Sequence, residues 1–170
     1  MGKVGKISNK ILFIASIENH FLAFHIPFMK YLQGKGYEIH VATKLRERRK
    51  ELEKQGIICH HVSFSRSMNP LIALRSLIQL VKLMREKNFS LVHVHTPMAA
   101  FLGRLAAKLT HTKPVLYTAH GFHFYRGAPW YYWAFIYPVE YLAAILPKKA
   151  AMGVCTCTRE YLLSLINLTN

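Results

Sequence analysis

The chain has 170 residues, enough for one domain with a hydrophobic core and too few for two of ordinary size, so residues 1–170 are treated as a single domain. Hydrophobic residues make up 52% and charged residues 18%, a balance that excludes a disordered segment. The formal net charge of +15 indicates an anionic partner: nucleic acid, a membrane surface or a phosphorylated substrate.

At the N-terminus, lysines precede the short apolar run Ile11–Ala15, and polar residues follow it where a signal peptide would have its cleavage site. No window of the sequence contains the roughly 20 apolar residues that a membrane-spanning helix needs. The three cysteines, Cys59, Cys155 and Cys157, do not form a paired framework. A cytoplasmic protein is therefore expected.

Short apolar runs alternate with helical patterns along the chain. The predicted strands are Ile11–Ser16, Tyr37–Thr43, Ile57–Val62, Leu91–His95, Pro114–Ala119 and Met152–Thr156. The predicted helices are 21–33, 45–55, 70–87, 97–109, 130–146 and 159–166. This alternation predicts an α/β fold, a doubly wound and mostly parallel Rossmann-like sheet with helices on both faces.

Three of the predicted strands have a histidine at or just after their carboxyl end, the edge where such sheets bind ligands. In the common strand order 3-2-1-4-5 the first, fourth and fifth strands are neighbours, so His20, His95 and His120 are expected to meet at one crevice. Gly121 lets the backbone turn sharply beside His120 and lets a ligand approach. A second interpretation of His95 stays open, a strand end hydrogen-bonded to the backbone, and His93 is interpreted as a core residue.

Two histidine pairs, His93-x-His95 and His120-x-x-His123, have the spacing of metal ligands. Zinc sites usually add carboxylates or thiolates, and the chain has only eight acidic residues, none near these pairs in sequence, so no metal is predicted. Neither a Gly-x-Gly-x-x-Gly turn nor a Walker lysine follows the first strand, which predicts no nucleotide on this domain alone. Histidines in other predicted loops are expected to be solvated: His60, His61 and His111.

The predicted helix 71–87 interleaves apolar residues with Arg75, Lys82 and Arg85. It is either a helix packed on the sheet with a solvated basic edge or one that contacts anionic lipid head groups. The aromatic cluster Trp130–Trp133 favours the membrane surface. Because no helix-turn-helix, zinc finger or RNP-like stretch is present, nucleic acid is not expected as a partner.

Three longer stretches carry a family resemblance: FLAFHIPFMKYLQGKGYEIHVAT, LVHVHTPMAAFLGRLAAKL and VLYTAHGFHFYRGAPWYYWAFIYPVE. From about Lys10 to about Glu140 the chain resembles the N-terminal half of bacterial family 4 glycosyltransferases, retaining enzymes with the GT-B fold that assemble capsule and exopolysaccharide. The resemblance implies an acceptor-binding domain for a lipid-linked or saccharide acceptor, peripheral on the inner face of the plasma membrane. A UDP-sugar donor would bind a second, C-terminal domain.

The resemblance also implies roles for residues of the predicted crevice. His120 matches the family histidine that contacts the transferred sugar near the reacting carbon, which makes it the catalytic candidate. Asn19, in the turn after the first strand, would lie near the diphosphate. The acceptor-side candidates are His20, His95, Thr96, Gly121, His123, Tyr125 and Arg126.

The chain departs from the family in length. Family enzymes are about twice as long, and their C-terminal half carries a Glu-x7-Glu pattern that does not occur here. The donor domain is therefore expected to be absent, with no cofactor bound by this domain and no transfer until a C-terminal domain is supplied in cis or in trans. Two alternatives stay open, a non-catalytic membrane-surface or partner-binding module and one subunit of a split two-chain sugar transferase.

Overall fold

The computed structural model describes residues 8–65, 69–119 and 150–154. Its strands are β1 (Lys10–Ile17), β2 (Glu38–Lys44), β3 (Ile58–His61), β4 (Leu91–His95), β5 (Val115–Ala119) and β6 (Ala150–Val154). They form one sheet in the order β3-β2-β1-β4-β5-β6, and every pairing is parallel. The predicted sheet class is confirmed. The common order 3-2-1-4-5, on which the expected crevice depended, is the order found, and β6 lies beside β5.

Helices cover both faces of this sheet, as predicted. They are α1 (Asn19–Phe24), α2 (Ile26–Gly34), α3 (Arg49–Glu53), α4 (Pro70–Lys87) and α5 (Pro97–Thr110). Odd-numbered residues of β1 such as Phe13 pack in a core with α1, α2 and α3, whereas Leu12 and Ile14 pack in a second core with α4 and α5. Because alternate residues of a strand point to opposite faces, β1 contributes to both cores.

The helix predicted over 21–33 is wrong as one continuous element. It is divided into α1 and α2 at His25, whose φ of −117° departs from helical values. Pro27 is the second residue of α2, and proline has no N–H to bond the preceding turn and disfavours helical backbone before it. The break therefore turns the His25 side chain out of a regular helical position.

The other predicted elements agree with the observed ones to different degrees. The Asn69 side chain caps α4 by accepting the Leu71 N–H at 3.0 Å, so this helix begins and ends as predicted. The predicted helix 45–55 is reduced to the five residues of α3. His60 lies on β3 and is half-buried rather than solvated in a loop. The helices predicted at 130–146 and 159–166 lie outside the described residues.

Helix α5 approaches the sheet closely at Gly103. A Cβ at this position would lie 2.8 Å from Cγ1 of Val94 and 3.0 Å from Cδ1 of Ile14. The glycine therefore allows α5 to pack directly on β1 and β4. Among the described helices, none combines the length and the apolar character needed to cross a membrane.

Candidate functional site

The carboxyl ends of β1 and β4 bring two of the three predicted crevice histidines together. His95, the last residue of β4, is fully buried, and its ring centroid lies 5.4 Å from that of His20 on α1. Next to it in register, Thr118 of β5 pairs with His95, and β5 ends one residue later at Ala119. His120 itself lies outside the described residues.

Two further histidines complete a cluster that we call the histidine cluster: His20, His25, His93 and His95. The His25 ring lies 4.0 Å from the His95 ring, and its Nε2 lies 3.3 Å from Nε2 of His20. The His93 ring lies 4.1 Å from the His95 ring, and its Nε2 lies 2.8 Å from Oγ1 of Thr118. His25 was missed because a continuous helix was expected there; Pro27, two residues later, was the available signal.

Phenylalanines form the apolar wall of the histidine cluster. The Phe13 ring lies nearly parallel to the His95 ring, with 6.0 Å between centroids and an interplanar angle of 8°. Phe21 meets His95 edge-on at 6.3 Å, and both phenylalanines are buried. Packed aromatic rings restrict imidazole rotation, so the wall holds the cluster in one arrangement.

Thr96 connects the ends of β1 and β4. Its Oγ1 lies 2.9 Å from Oγ of Ser16 and accepts the Ser16 N–H at 3.1 Å. The Thr96 backbone has φ 56°, a value that a β-branched residue rarely adopts, directly before Pro97 opens α5. Strained backbone of this kind persists where the surroundings impose it and is concentrated at functional sites.

A buried carboxylate shapes the turn that follows β1. Glu18 is 4% exposed, and its two oxygens accept the backbone N–H groups of Arg46 at 2.8 Å and Arg48 at 2.9 Å. Such charge-assisted bonds are about twice as strong as neutral ones. Glu18 therefore fixes the β2–α3 loop against the β1–α1 turn.

Between that loop and that turn lies a basic cavity of about 500 Å³. Its lining includes Asn19, three basic residues and two acidic ones: Lys44, Arg46, Arg48, Glu18 and Glu47. Asn19 Oδ1 accepts a hydrogen bond from Nη1 of Arg48 at 3.4 Å. Ser16 and Asn19 of the lining connect the cavity to the histidine cluster, because Ser16 contacts Thr96, the residue after His95, and Asn19 precedes His20.

Residues 10–148 match the glycosyl transferase 4-like family. The chain belongs to this family. The family expected from the sequence is thereby confirmed, and the match includes the whole described sheet up to β5 together with the basic cavity and the histidine cluster.

Two relatives with the names of glycosyltransferases agree with the glycosyl transferase 4-like family. Bacillus subtilis (strain 168) EpsD, which carries the name of a glycosyltransferase, is 38% identical over 136 residues, or 79% of this chain and 35% of EpsD. The Escherichia coli UDP-Gal:alpha-D-GlcNAc-diphosphoundecaprenol alpha-1,3-galactosyltransferase is 36% identical over 67 residues, or 39% of this chain and 16% of that enzyme. The chain thus spans about a third of EpsD and less of the E. coli enzyme.

The fold agrees with a solved glycosyltransferase from Rickettsia africae ESF-5. The two superpose with a TM-score of 0.61 at 20% identity, over 95% of this chain and 49% of the other. The chain therefore has the fold of one Rossmann-like half of a GT-B glycosyltransferase.

In this glycosyl transferase 4-like domain, the predicted site residues divide into two groups. Those at the described carboxyl edge are Asn19, His20, His95 and Thr96. Those outside the described residues are His120, Gly121, His123, Tyr125 and Arg126. The described half of the site thus combines amide, imidazole and hydroxyl groups, which can bind sugar hydroxyls and phosphate oxygens.

Proposed function

We propose that this chain is the acceptor-binding half of a glycosyltransferase that moves a sugar from a UDP-sugar to a lipid-linked or saccharide acceptor. The observation that carries the proposal is the basic cavity beside the histidine cluster at the carboxyl edge of a glycosyl transferase 4-like sheet. In open α/β sheets this edge is where ligands bind. The proposed catalytic residue is His120, which follows β5.

The basic cavity suits the diphosphate of a lipid-linked acceptor. Arg48 pairs with Glu51 at 2.7 Å, so Lys44 and Arg46 are the cations of the lining that would meet phosphate oxygens. Phosphate oxygens form strong charge-assisted hydrogen bonds with such groups. Of the two acidic lining residues, Glu18 is already bonded to the N–H groups of Arg46 and Arg48, and Glu47 is the other. The name of the E. coli relative describes an acceptor with a diphosphate between sugar and lipid, which supports this choice.

Helix α4 presents a face that suits the membrane in which such an acceptor is embedded. Three apolar residues at helical spacing are well exposed: Leu71 at 75%, Leu74 at 54% and Ile78 at 59%. Exposed cations lie on the same face: Arg75, Lys82 and Arg85. Apolar insertion combined with basic charge binds a helix to an anionic surface, so we place the protein peripherally on the inner face of the plasma membrane.

The donor half can be supplied by fusing this chain to the part of EpsD that follows the matched segment. We expect the fusion to transfer sugar from a UDP-sugar to a diphosphoundecaprenol-linked acceptor, measured by radiolabel incorporation into lipid. His120→Ala should abolish transfer, because the proposed contact near the reacting carbon is lost. Replacing Lys44 and Arg46 by Ala should raise the acceptor KM about 10-fold or more.

Lys54→Ala is the matched control for the cavity variants. This lysine is exposed, comes directly after α3 and is not part of the cavity lining. The variant should leave the acceptor KM unchanged. A folded fusion that transfers nothing while intact EpsD is active contradicts the proposal. If that inactive chain still binds anionic vesicles through α4, the membrane-binding module becomes the better function.

A further inference from the structure

We infer that His20, His25 and His95 form a binding site for a divalent transition-metal ion of the zinc class. One imidazole nitrogen from each residue can be chosen so that all three lie within 4.8 Å of one another. The inference goes beyond the proposed function, and its test requires no sugar transfer.

The spacing of the His20 and His25 nitrogens fits tetrahedral coordination. Their Nε2 atoms lie 3.3 Å apart. Two nitrogens that each lie about 2.0–2.1 Å from a tetrahedral zinc ion are separated by about 3.3–3.4 Å. This pair is therefore already at the separation that a shared ion requires, and His95 approaches it from the end of β4.

A second histidine pair in the chain shows the contrasting geometry. His40 Nδ1 lies 2.8 Å from His60 Nε2, an ordinary hydrogen-bond distance that is too short to hold an ion between the two atoms. The other nitrogen of His40 bonds Glu38 at 2.6 Å. Proximity of two imidazoles alone therefore does not produce the spacing found at His20 and His25.

The ligand set suits zinc, copper or nickel. Neutral imidazoles bind these ions well, whereas calcium and magnesium prefer oxygen ligands. Three histidines with one position left for water or a substrate oxygen are the arrangement of many catalytic zinc sites. His25 and His95 are 5% and 0% exposed while His20 is half-buried, so an ion would enter from the His20 side.

The surrounding structure keeps the three ligands in place. His20 lies on α1, His25 joins α1 to α2, and His95 ends β4, so regular elements rather than long loops carry the site. The His93 ring lies 4.1 Å from the His95 ring, and its Nε2 is bonded to Thr118. His93, held by Thr118, therefore packs against the His95 ring and restricts its rotation without being one of the three ligands.

This site departs from the sequence-based expectation that no metal binds. That expectation weighed His93-x-His95 and His120-x-x-His123 and the shortage of acidic residues. His25 stood inside a predicted continuous helix and was not considered. The break before Pro27 brings its side chain to His20 and His95, which supplies three ligands from separate positions of the sequence.

The test is a titration of the chelator-treated chain with zinc chloride by isothermal calorimetry, and with cobalt chloride by visible absorption. We expect one ion per chain with the absorption of four-coordinate cobalt. His25→Gln should weaken zinc binding more than about 10-fold, since loss of a supporting neighbour alone costs about 10- to 100-fold. His60→Gln, in the contrasting pair, should leave the affinity unchanged.

Circular dichroism establishes that each variant folds. If His25→Gln does not, His20→Gln replaces the half-buried ligand and gives the same test with less disturbance of the core. Absence of zinc binding by the unmodified chain overturns the inference. So does equal affinity in the unmodified chain and the folded ligand variant, or an equal loss in His60→Gln.

Discussion

His60 and His40 form a stacked pair on the neighbouring strands β3 and β2, with ring centroids 5.1 Å apart and an interplanar angle of 5°. Burial lowers the pKa of His60 to about 4, and repulsion from His40 and Lys87 adds to this effect. Burial also lowers the pKa of His40, although its hydrogen bond to Glu38 opposes the shift. Both imidazoles are therefore neutral in the folded protein at pH 7.

The His60 pair predicts a loss of stability in mild acid. Between pH 6.5 and about 4, His60 takes up a proton in the unfolded chain but not in the folded one. Protons therefore favour the unfolded chain in this range, so the free energy of unfolding is highest above pH 6.5 and declines as the pH falls towards 4. Since His60 is partly exposed, we expect a contribution of about 1 kcal/mol. Urea unfolding at pH 7.5 and pH 5 should show a smaller difference for His60→Gln than for the unmodified chain.

His61→Gln is the control, because His61 is the next residue on β3 and is exposed. It should keep the full pH dependence of the unmodified chain. If His60→Gln loses as much stability in acid as the unmodified chain does, a group other than His60 is responsible.

Individual site residues could be predicted when their place depended on strand ends alone. His20 follows β1 and His95 ends β4. Because the parallel order makes those two strand ends adjacent, the sequence was sufficient to bring the two histidines together. His25 depends instead on a break within a helical pattern and on the way α1 packs under Phe13. Such contacts arise between elements, which periodicity does not describe.

The packing of α5 against the sheet depends on one small residue, Gly103. Gly103→Ala would place a methyl group 2.8 Å from Val94 and 3.0 Å from Ile14, both in the core under α5. Overpacking of this kind lowers the free energy of unfolding by about 1–3 kcal/mol. The higher helix propensity of alanine offsets up to about 1 kcal/mol of this loss. We expect a net loss of about 1–2 kcal/mol in the free energy of unfolding, measured by urea denaturation.

Gly34→Ala provides the comparison at the end of α2, where an added Cβ would meet no atom within 4 Å. This variant should be as stable as the unmodified chain or slightly more stable. Equal stability of Gly103→Ala and Gly34→Ala would mean that α5 can move away from the sheet without cost.

The elements also differ in how far their bounds follow from sequence. In α4, a capping asparagine and a first-turn proline start the helix, and 18 residues of amphipathic pattern maintain it. In α3 only Leu52 is buried, so little packing supports the charged residues around it. The predicted helix there was longer than the one found because a pattern of charges contributes little helical stability without a buried face.

For the whole molecule, the fold followed from the alternation of apolar and helical segments. Right-handed crossovers and burial on both faces leave few arrangements for such a chain, and the doubly wound order is one of them. What alternation does not determine is which surface faces a partner. That surface is visible only once α4 is placed, with its apolar and basic residues exposed on one side of the sheet.

The exposed apolar and basic residues of α4 predict that the chain binds anionic membranes through this helix. Leu74→Glu removes an exposed apolar side chain and adds a negative charge among Arg75 and Lys82, so it should weaken binding to vesicles containing anionic lipid about 10-fold or more. Co-sedimentation with vesicles measures this effect. Binding by the unmodified chain should also fall as salt rises from about 0.05 to about 0.5 M, because the Debye length shortens from about 14 Å to about 4 Å.

Tyr31→Glu is the matched control, because Tyr31 is 41% exposed on α2, which packs on the opposite face of the sheet from α4. The two variants carry the same net charge, so a general loss of attraction to anionic lipid would lower both affinities equally. If only Leu74→Glu loses vesicle affinity, α4 lies against the lipid. The sheet then lies behind α4, and the basic cavity lies at the carboxyl edge of the sheet. Equal losses would instead make the binding a property of the total charge of +15.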